Sequence, residues 1–152
     1  MIRSGGCLCG QIRFEVEGLP SRVSVCHCRY CQLRTGSAFG VSVYFPTNKI
    51  TVISGNLQDY SLETESGNTL KIERCSNCGT SLFWQIDTKP YLELKGTAGG
   101  TYDPPSFWYD VNREVFTRTK AEFCSINAPE THETHSFYSP SNNKDEPRLS
   151  GD

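Results

Sequence analysis

Seven of the chain's eight cysteines stand in three tight clusters. Cys7 and Cys9 form a C-x-C pair in GGCLCG, and Cys75 and Cys78 form a C-x-x-C pair in CSNCGT. Cys26, Cys28 and Cys31 form a C-x-C-x-x-C triplet in CHCRYC. Two pairs supply four thiolates, enough to close a tetrahedral zinc site. The triplet supplies three and leaves one position open. Closed zinc sites are usually structural, whereas three protein ligands and a free position are the usual form of a catalytic zinc. The expectation is two zinc ions per chain: a structural one on Cys7, Cys9, Cys75 and Cys78, and a catalytic one on Cys26, Cys28 and Cys31.

Other uses of cysteine fit less well. A disulfide framework belongs to a secreted chain, and MIRSGGCLCG has no apolar run of signal-peptide type. Cysteines two or three residues apart bridge one another poorly but converge readily on a metal. An iron–sulfur cluster is the remaining metal alternative. A redox C-x-x-C normally opens a helix after a strand in a βαβ unit, and no such pattern surrounds Cys75.

The elements that must hold these clusters read as strands. In QIRFEVE, Ile12, Phe14 and Val16 alternate with polar residues, the period of a half-buried strand. RVSVC (22–26) repeats the pattern and delivers Cys26 at its end. Further strands are expected at 39–45, 49–54, 57–62, 69–74, 81–86, 91–95 and 113–119. Turn signals separate them at Pro46-Thr47-Asn48, Gly55-Asn56, Ser66-Gly67-Asn68, Gly99-Gly100 and Asp103-Pro104-Pro105. Only CRYCQLR (28–34) is suited to a helical turn. The fold class is all-β. On this reading Cys7 and Cys9 precede the first strand, and joining them to Cys75 and Cys78 staples chain segments more than sixty residues apart. Glycine after Cys9 and Cys78 suits turns whose N–H groups point at sulfur, because glycine accepts positive φ freely.

At 152 residues the chain is one domain by length, assigned to 1–127. Residues 128–152 are polar and rich in Ser, Asn, Pro and charge, and are expected to form a tail, mostly disordered or draped over the domain. His132 and His135 within it are expected to be solvated. The net charge of −2, with acids and bases interspersed, offers no basic patch for nucleic acid. No run approaches the roughly 18 apolar residues of a membrane span. The expected setting is a reducing cytoplasm.

Three thiolates leave the triplet zinc electron-rich, a weak polariser of carbonyls and well matched to a fourth sulfur. Binding there would hold that thiol as a thiolate, the reactive form of sulfur. Addition of a thiol to an aldehyde, and the reverse cleavage of a carbon–sulfur bond, fits. The competing reading fills the fourth position from the protein; His27, wedged between two ligands, is poorly placed for that. Arg29 and Arg34 flank the triplet and are candidates to meet the carboxylates of a peptide thiol, against a reading as solvated surface charge. Gln32, Ser37 and Phe39 are candidate pocket residues. Trp84, Trp108 and the Phe107–Tyr109 run either stack on a ligand or fill the core. Cys124, outside the clusters, reads as a small buried apolar residue.

In order, GGCLCGQIRFEVEG, VCHCRYCQLRTGSAFGVSVYF and CSNCGTSLFW resemble the glutathione-dependent formaldehyde-activating enzyme family, which also includes centromere protein V. The resemblance spans about residues 4–120 and all seven clustered cysteines. It implies a β-tent fold with two zincs, the structural one on the two pairs and the catalytic one on the triplet. It implies condensation of formaldehyde with glutathione to S-(hydroxymethyl)glutathione, a carbon–sulfur lyase activity. The segment FTRTKAEFCSI departs from the Pro-Trp pattern associated with many members. Two alternatives accompany this expectation: other Lewis-acid chemistry on the same scaffold, and a non-catalytic zinc-stapled interaction module.

Overall fold

The computed structural model describes residues 1–140. Its strands are β1 (Ile2–Gly6), β2 (Arg13–Glu17), β3 (Arg22–Cys26), β4 (Gly40–Pro46), β5 (Ile50–Ser54), β6 (Leu57–Glu63), β7 (Thr69–Cys75), β8 (Ser81–Ile86), β9 (Leu94–Ala98), β10 (Arg113–Val115) and β11 (Glu130–Thr131). One seven-residue helix, α1 (Arg29–Thr35), interrupts them after β3. The strands form a small sheet in the order β1-β2-β5 and a large one in the order β11-β10-β3-β4-β9-β8-β7-β6. Neighbours are antiparallel except at β10, which runs parallel to both β3 and β11. The all-β expectation holds.

The alternation seen in the sequence decides which face meets which layer. Phe14 and Val16 on β2 turn inward with Ile12 and pack on Val43, Phe45, Leu82 and Phe83 of the large sheet. Phe14 meets Phe83 and Tyr102 edge-on, at centroid distances of 5.1 and 5.4 Å, a favoured aromatic geometry. The small sheet therefore covers one face of the large one. On the other face the intervening residues, Ser24 and Cys26, Ser42 and Tyr44, Ile72 and Trp84, line a cavity. Register sets Tyr44 and Trp84 on either side of Gly96. A Cβ at Gly96 would run into the Trp84 indole, so glycine lets that ring lie across β9.

Several expectations are corrected. IRSGG forms β1, so Cys7 and Cys9 lie in the β1–β2 connection rather than ahead of the first strand. This segment lacks alternating apolar residues; Gly5 permits it, since a Cβ there would stand 2.6 Å from the Phe14 ring and from the Thr101 carbonyl. The strand expected at 113–119 stops at Val115, because Phe116 takes a left-handed conformation (φ 57°) and starts a 3-10 turn. The strand expected at 91–95 begins at Leu94 and runs to Ala98. Of the two forms expected for the tail, its described part takes the draped one, with Glu130–Thr131 paired to β10; His132 is exposed as expected, but His135 is buried rather than solvated. Residues 141–152 of that tail lie outside the described residues. Among the described residues, no helix is long and apolar enough to cross a membrane.

Candidate metal centres

The four-cysteine cluster is built from two turns. In the β1–β2 connection Gly10 (φ 78°) donates its N–H to the Cys7 carbonyl at 3.0 Å. After β7, Gly79 (φ 76°) does the same to the Cys75 carbonyl at 3.0 Å. These are the positions where only glycine takes the required backbone without strain. The four sulfurs lie within 4.8 Å of one another, with Cys7–Cys9 at 3.5 Å and Cys9–Cys75 at 3.8 Å. A tetrahedron of ~2.3 Å zinc–sulfur bonds has edges of about 3.8 Å. The donor set fits. Ile12 donates its N–H to Cys7 Sγ at 3.2 Å, and Thr80 Oγ1 stands 3.1 Å from Cys78 Sγ. The Thr80 side-chain hydrogen bond leads the causes that push the Cys78 thiol down to about 5. Cys7 and Cys75 are buried within the main apolar core.

The three-cysteine cluster is built from one short segment. Cys26 ends β3, Cys28 caps the N-terminus of α1, and Cys31 follows in its first turn. The Cys31 N–H donates to Cys28 Sγ at 3.4 Å, so the sulfur does the work a serine or aspartate oxygen does at other caps. The three sulfurs also lie within 4.8 Å of one another. Hydrogen bonds from Cys26 and Cys28, reinforced by the Arg34 guanidinium, hold the Cys31 thiol well below its ordinary range. His27 is fully buried, and its Nε2 stands 2.8 Å from Glu114, which also pairs with Lys120 at 2.8 Å. Its carbonyl accepts from Thr119 at 2.8 Å and Gln32 at 3.0 Å. Its partners make His27 an anchor of the ligand loop.

Above the triplet lies a cavity of about 120 Å³, with all three of its cysteines in the lining. Of the sequence candidates, Arg34 and Trp84 line it: the guanidinium stacks 3.6 Å over the indole and sends Nη2 to within 3.7 Å of Cys31 Sγ. Gln32 and Arg29 do not line it. The Gln32 amide nitrogen reaches the carbonyls of His27, Ala38 and Thr119, and its oxygen accepts from Arg29 at 3.4 Å. Ser37 is exposed and Phe39 packs edge-on against His27. Trp108 and Tyr109 pack around Tyr102, while Phe107 is exposed. Cys124, half-buried in a loop, joins neither cluster.

Sequence reasoning missed one wall. Residues 132–139 form a strap across the cavity and contribute His135, Phe137 and Tyr138 to its lining. The strap is held at one end by Thr117 N–H to the His132 carbonyl (3.1 Å) and Phe116 N–H to the Thr134 carbonyl (3.3 Å). Its other end is tied by Ser139 N–H to Ser66 Oγ at 2.9 Å, in the β6–β7 turn. Arg22 donates to the Tyr91 hydroxyl at 2.6 Å, which leaves the Tyr91 proton for His135 Nε2 at 2.8 Å. Burial, then the Arg113 and Arg22 charges, push His135 down to about 4, so it is neutral at pH 7. The available signal was HSFY, a run of rings inside an otherwise polar stretch.

The sequence profile of the glutathione-dependent formaldehyde-activating enzyme family matches residues 2–119. Curated proteins give no significant match. Among solved structures, the chain is similar to a crystal structure of a Rhodobacter sphaeroides protein, with 23% identity and a TM-score of 0.53, covering 71% of this chain and 96% of that one. That likeness concerns the fold.

Proposed function

The chain belongs to the glutathione-dependent formaldehyde-activating enzyme family, and on that premise we propose that it is a zinc-dependent carbon–sulfur lyase-type enzyme joining a thiol such as glutathione to a small carbonyl compound. One observation carries the reading. The three-cysteine cluster opens onto a cavity, while none of the cysteines of the four-cysteine cluster lines it. A closed set of four suits a structural zinc and an open set of three a catalytic one.

A zinc on Cys26, Cys28 and Cys31 would hold the incoming thiol as its thiolate, the reactive form of sulfur. The reaction adds S–H across C=O. A carbon–sulfur bond forms, the carbonyl π pair moves to oxygen, and the proton given up by the thiol ends on that oxygen. The product is a hemithioacetal, and the reverse step cleaves the same bond. Arg34 supplies the charge this needs. Stacked on Trp84 beside Cys31, its guanidinium is aimed where negative charge develops on the carbonyl oxygen. The strap limits water at that oxygen, and the His27–Glu114–Lys120 chain keeps the ligand loop rigid. The proposed setting is the cytoplasm, where thiols stay reduced.

The test is zinc-edge X-ray absorption on reduced, zinc-loaded protein. Adding glutathione should turn the open site's shell all-sulfur, with Zn–S distances near ~2.3 Å, and formaldehyde should then be consumed. An unchanged shell with a fourth ligand already supplied by the protein would overturn the enzyme reading in favour of an interaction module.

A further inference from the structure

We propose that the carbonyl substrate carries an apolar substituent of about ring size, lodged between Trp84 and the strap residues Phe137 and Tyr138, and that the strap selects which carbonyl compounds react. This rests on the thiol–carbonyl reading above and names the substrate class of that same site. The first ground is volume. A cavity of about 120 Å³ is comparable with the roughly 150 Å³ of an apolar protein cavity that admits benzene. Formaldehyde would leave most of it empty.

The second ground is the chemistry of the walls. One side is aliphatic and aromatic sheet, with Leu70, Ile72, Ile86 and Trp84; the other is Phe116, Phe137 and Tyr138. Polar atoms among these rings are engaged with protein: Tyr91 with Arg22 and His135, Tyr138 with Arg118 at 3.0 Å, Tyr30 with Glu65 at 2.6 Å. Ser24, whose Oγ has no hydrogen-bond partner, is in the lining too, but most of what faces the cavity is ring and hydrocarbon, which binds apolar surface. Among the described residues, Arg34 is the one permanent cation in the lining, and it sits at the cysteine end, where the carbonyl oxygen belongs.

The third ground is what the cavity does not suit. Glutathione carries two carboxylates and an ammonium group. Among the described residues, the charged ones in the lining other than neutral His135 are Arg34 and Glu65, and Glu65 is hydrogen-bonded to Tyr30. Only the thiol arm of such a peptide matches the interior, which leaves the apolar volume for its reaction partner. The strap also lies beyond residues 2–119, the part matched by the family.

With an aldehyde R–CHO of this class, the thiol sulfur bonds to the carbonyl carbon, the π pair goes to oxygen, and the thiol proton completes the hydroxyl. The bond to R is untouched. The experiment pairs binding with turnover on the zinc-loaded protein. Isothermal titration with 2-phenylethanol, an unreactive stand-in for phenylacetaldehyde, should show binding that weakens about tenfold in Phe137→Ala. With glutathione present, kcat/KM should favour phenylacetaldehyde over formaldehyde, and that ratio should fall in the variant. Phe137→Leu, which keeps an apolar wall of smaller area, should lie between the two and serves if the alanine variant does not fold. Absence of 2-phenylethanol binding to the unaltered protein, or binding indifferent to both substitutions, overturns the proposal. Phe137-dependent binding without turnover of any carbonyl compound would retain the apolar ligand class and discard the thiol–carbonyl reaction.

Discussion

The two cysteine clusters use the same ligand atom in opposite settings. Cys7 and Cys9 meet Cys75 and Cys78 from far along the chain, Cys9 and Cys75 being 66 positions apart, and two of the four are part of the main core. Cys26, Cys28 and Cys31 come from six consecutive residues and face a cavity on the other side of the large sheet. A cross-link between distant turns bears on whether the sheets stay together. A ligand set held within one strand end and one helical turn needs little beyond its own segment. The lesson is that cysteine spacing tells which sulfurs converge, whereas the separation of a cluster's parts tells what the fold loses with it.

The largest expected effect tests that difference directly. A structural zinc contributes about 10–16 kcal/mol of apparent binding energy, against a net domain stability of about 5–15 kcal/mol. Cys75→Ser should therefore leave the protein unfolded or insoluble. Cys28→Ser should fold, because serine is itself a good helix N-cap, and should lose activity. Thermal unfolding by circular dichroism, with zinc content, distinguishes the two; collapse of Cys28→Ser with normal melting of Cys75→Ser would invert the comparison.

The next effect contrasts the sheet's two faces. Phe14 has no exposed surface and joins the layers, so Phe14→Ala should cost about 3–5 kcal/mol, read as a lower denaturation midpoint. Phe137→Ala, on the strap, should cost distinctly less. Comparable losses would mean the strap is as much core as the small sheet.

Arg34→Ala should keep the fold and lower kcat by about 10²–10³, the usual consequence of removing one donor to a developing oxyanion. Arg34→Lys should restore it only in part, because an ammonium lacks the planar group that stacks on Trp84. A loss confined to KM would move Arg34 from the reacting oxygen to ground-state binding.

The smallest effect concerns pH. His135 is held neutral, with its folded value at about 4 against about 6.5 when unfolded. Its contribution to stability is therefore complete above about 6.5 and is lost as pH falls from there towards 4. Arg22, Arg113 and His132 all oppose its protonation. Between pH 7 and pH 5 the loss is about 2 kcal/mol. His135→Gln should flatten that part of the stability–pH curve relative to the unaltered protein, and identical slopes would show that the strap does not depend on a neutral ring.

Much of the candidate site was legible because thiolate ligands announce themselves by type and spacing, and because Cys26 followed a clear β alternation into its loop. The strands of the core were legible for the same reason: Phe14 and Val16, or Val43 and Phe45, alternate with residues of the other face. β1 was not, since IRSGG has no such alternation and pairs because glycine admits the Phe14 ring. The strap was not, since HSFY is too short to show a period. Gln32 and Arg34 look equivalent in sequence, yet one amide is taken up by three carbonyls while the other side chain reaches the cavity.

The sequence by itself determined the grouping of the cysteines into four and three and the all-β class, because these depend on residue type and spacing. Tertiary structure alone decided which face of the large sheet holds the open cluster, which of the flanking cations meets it, and which distant rings close the cavity. Those depend on register and on packing between segments far apart in the chain. No local pattern encodes that Gly96 would stand beside Trp84, or that His135 would find the hydroxyl of Tyr91.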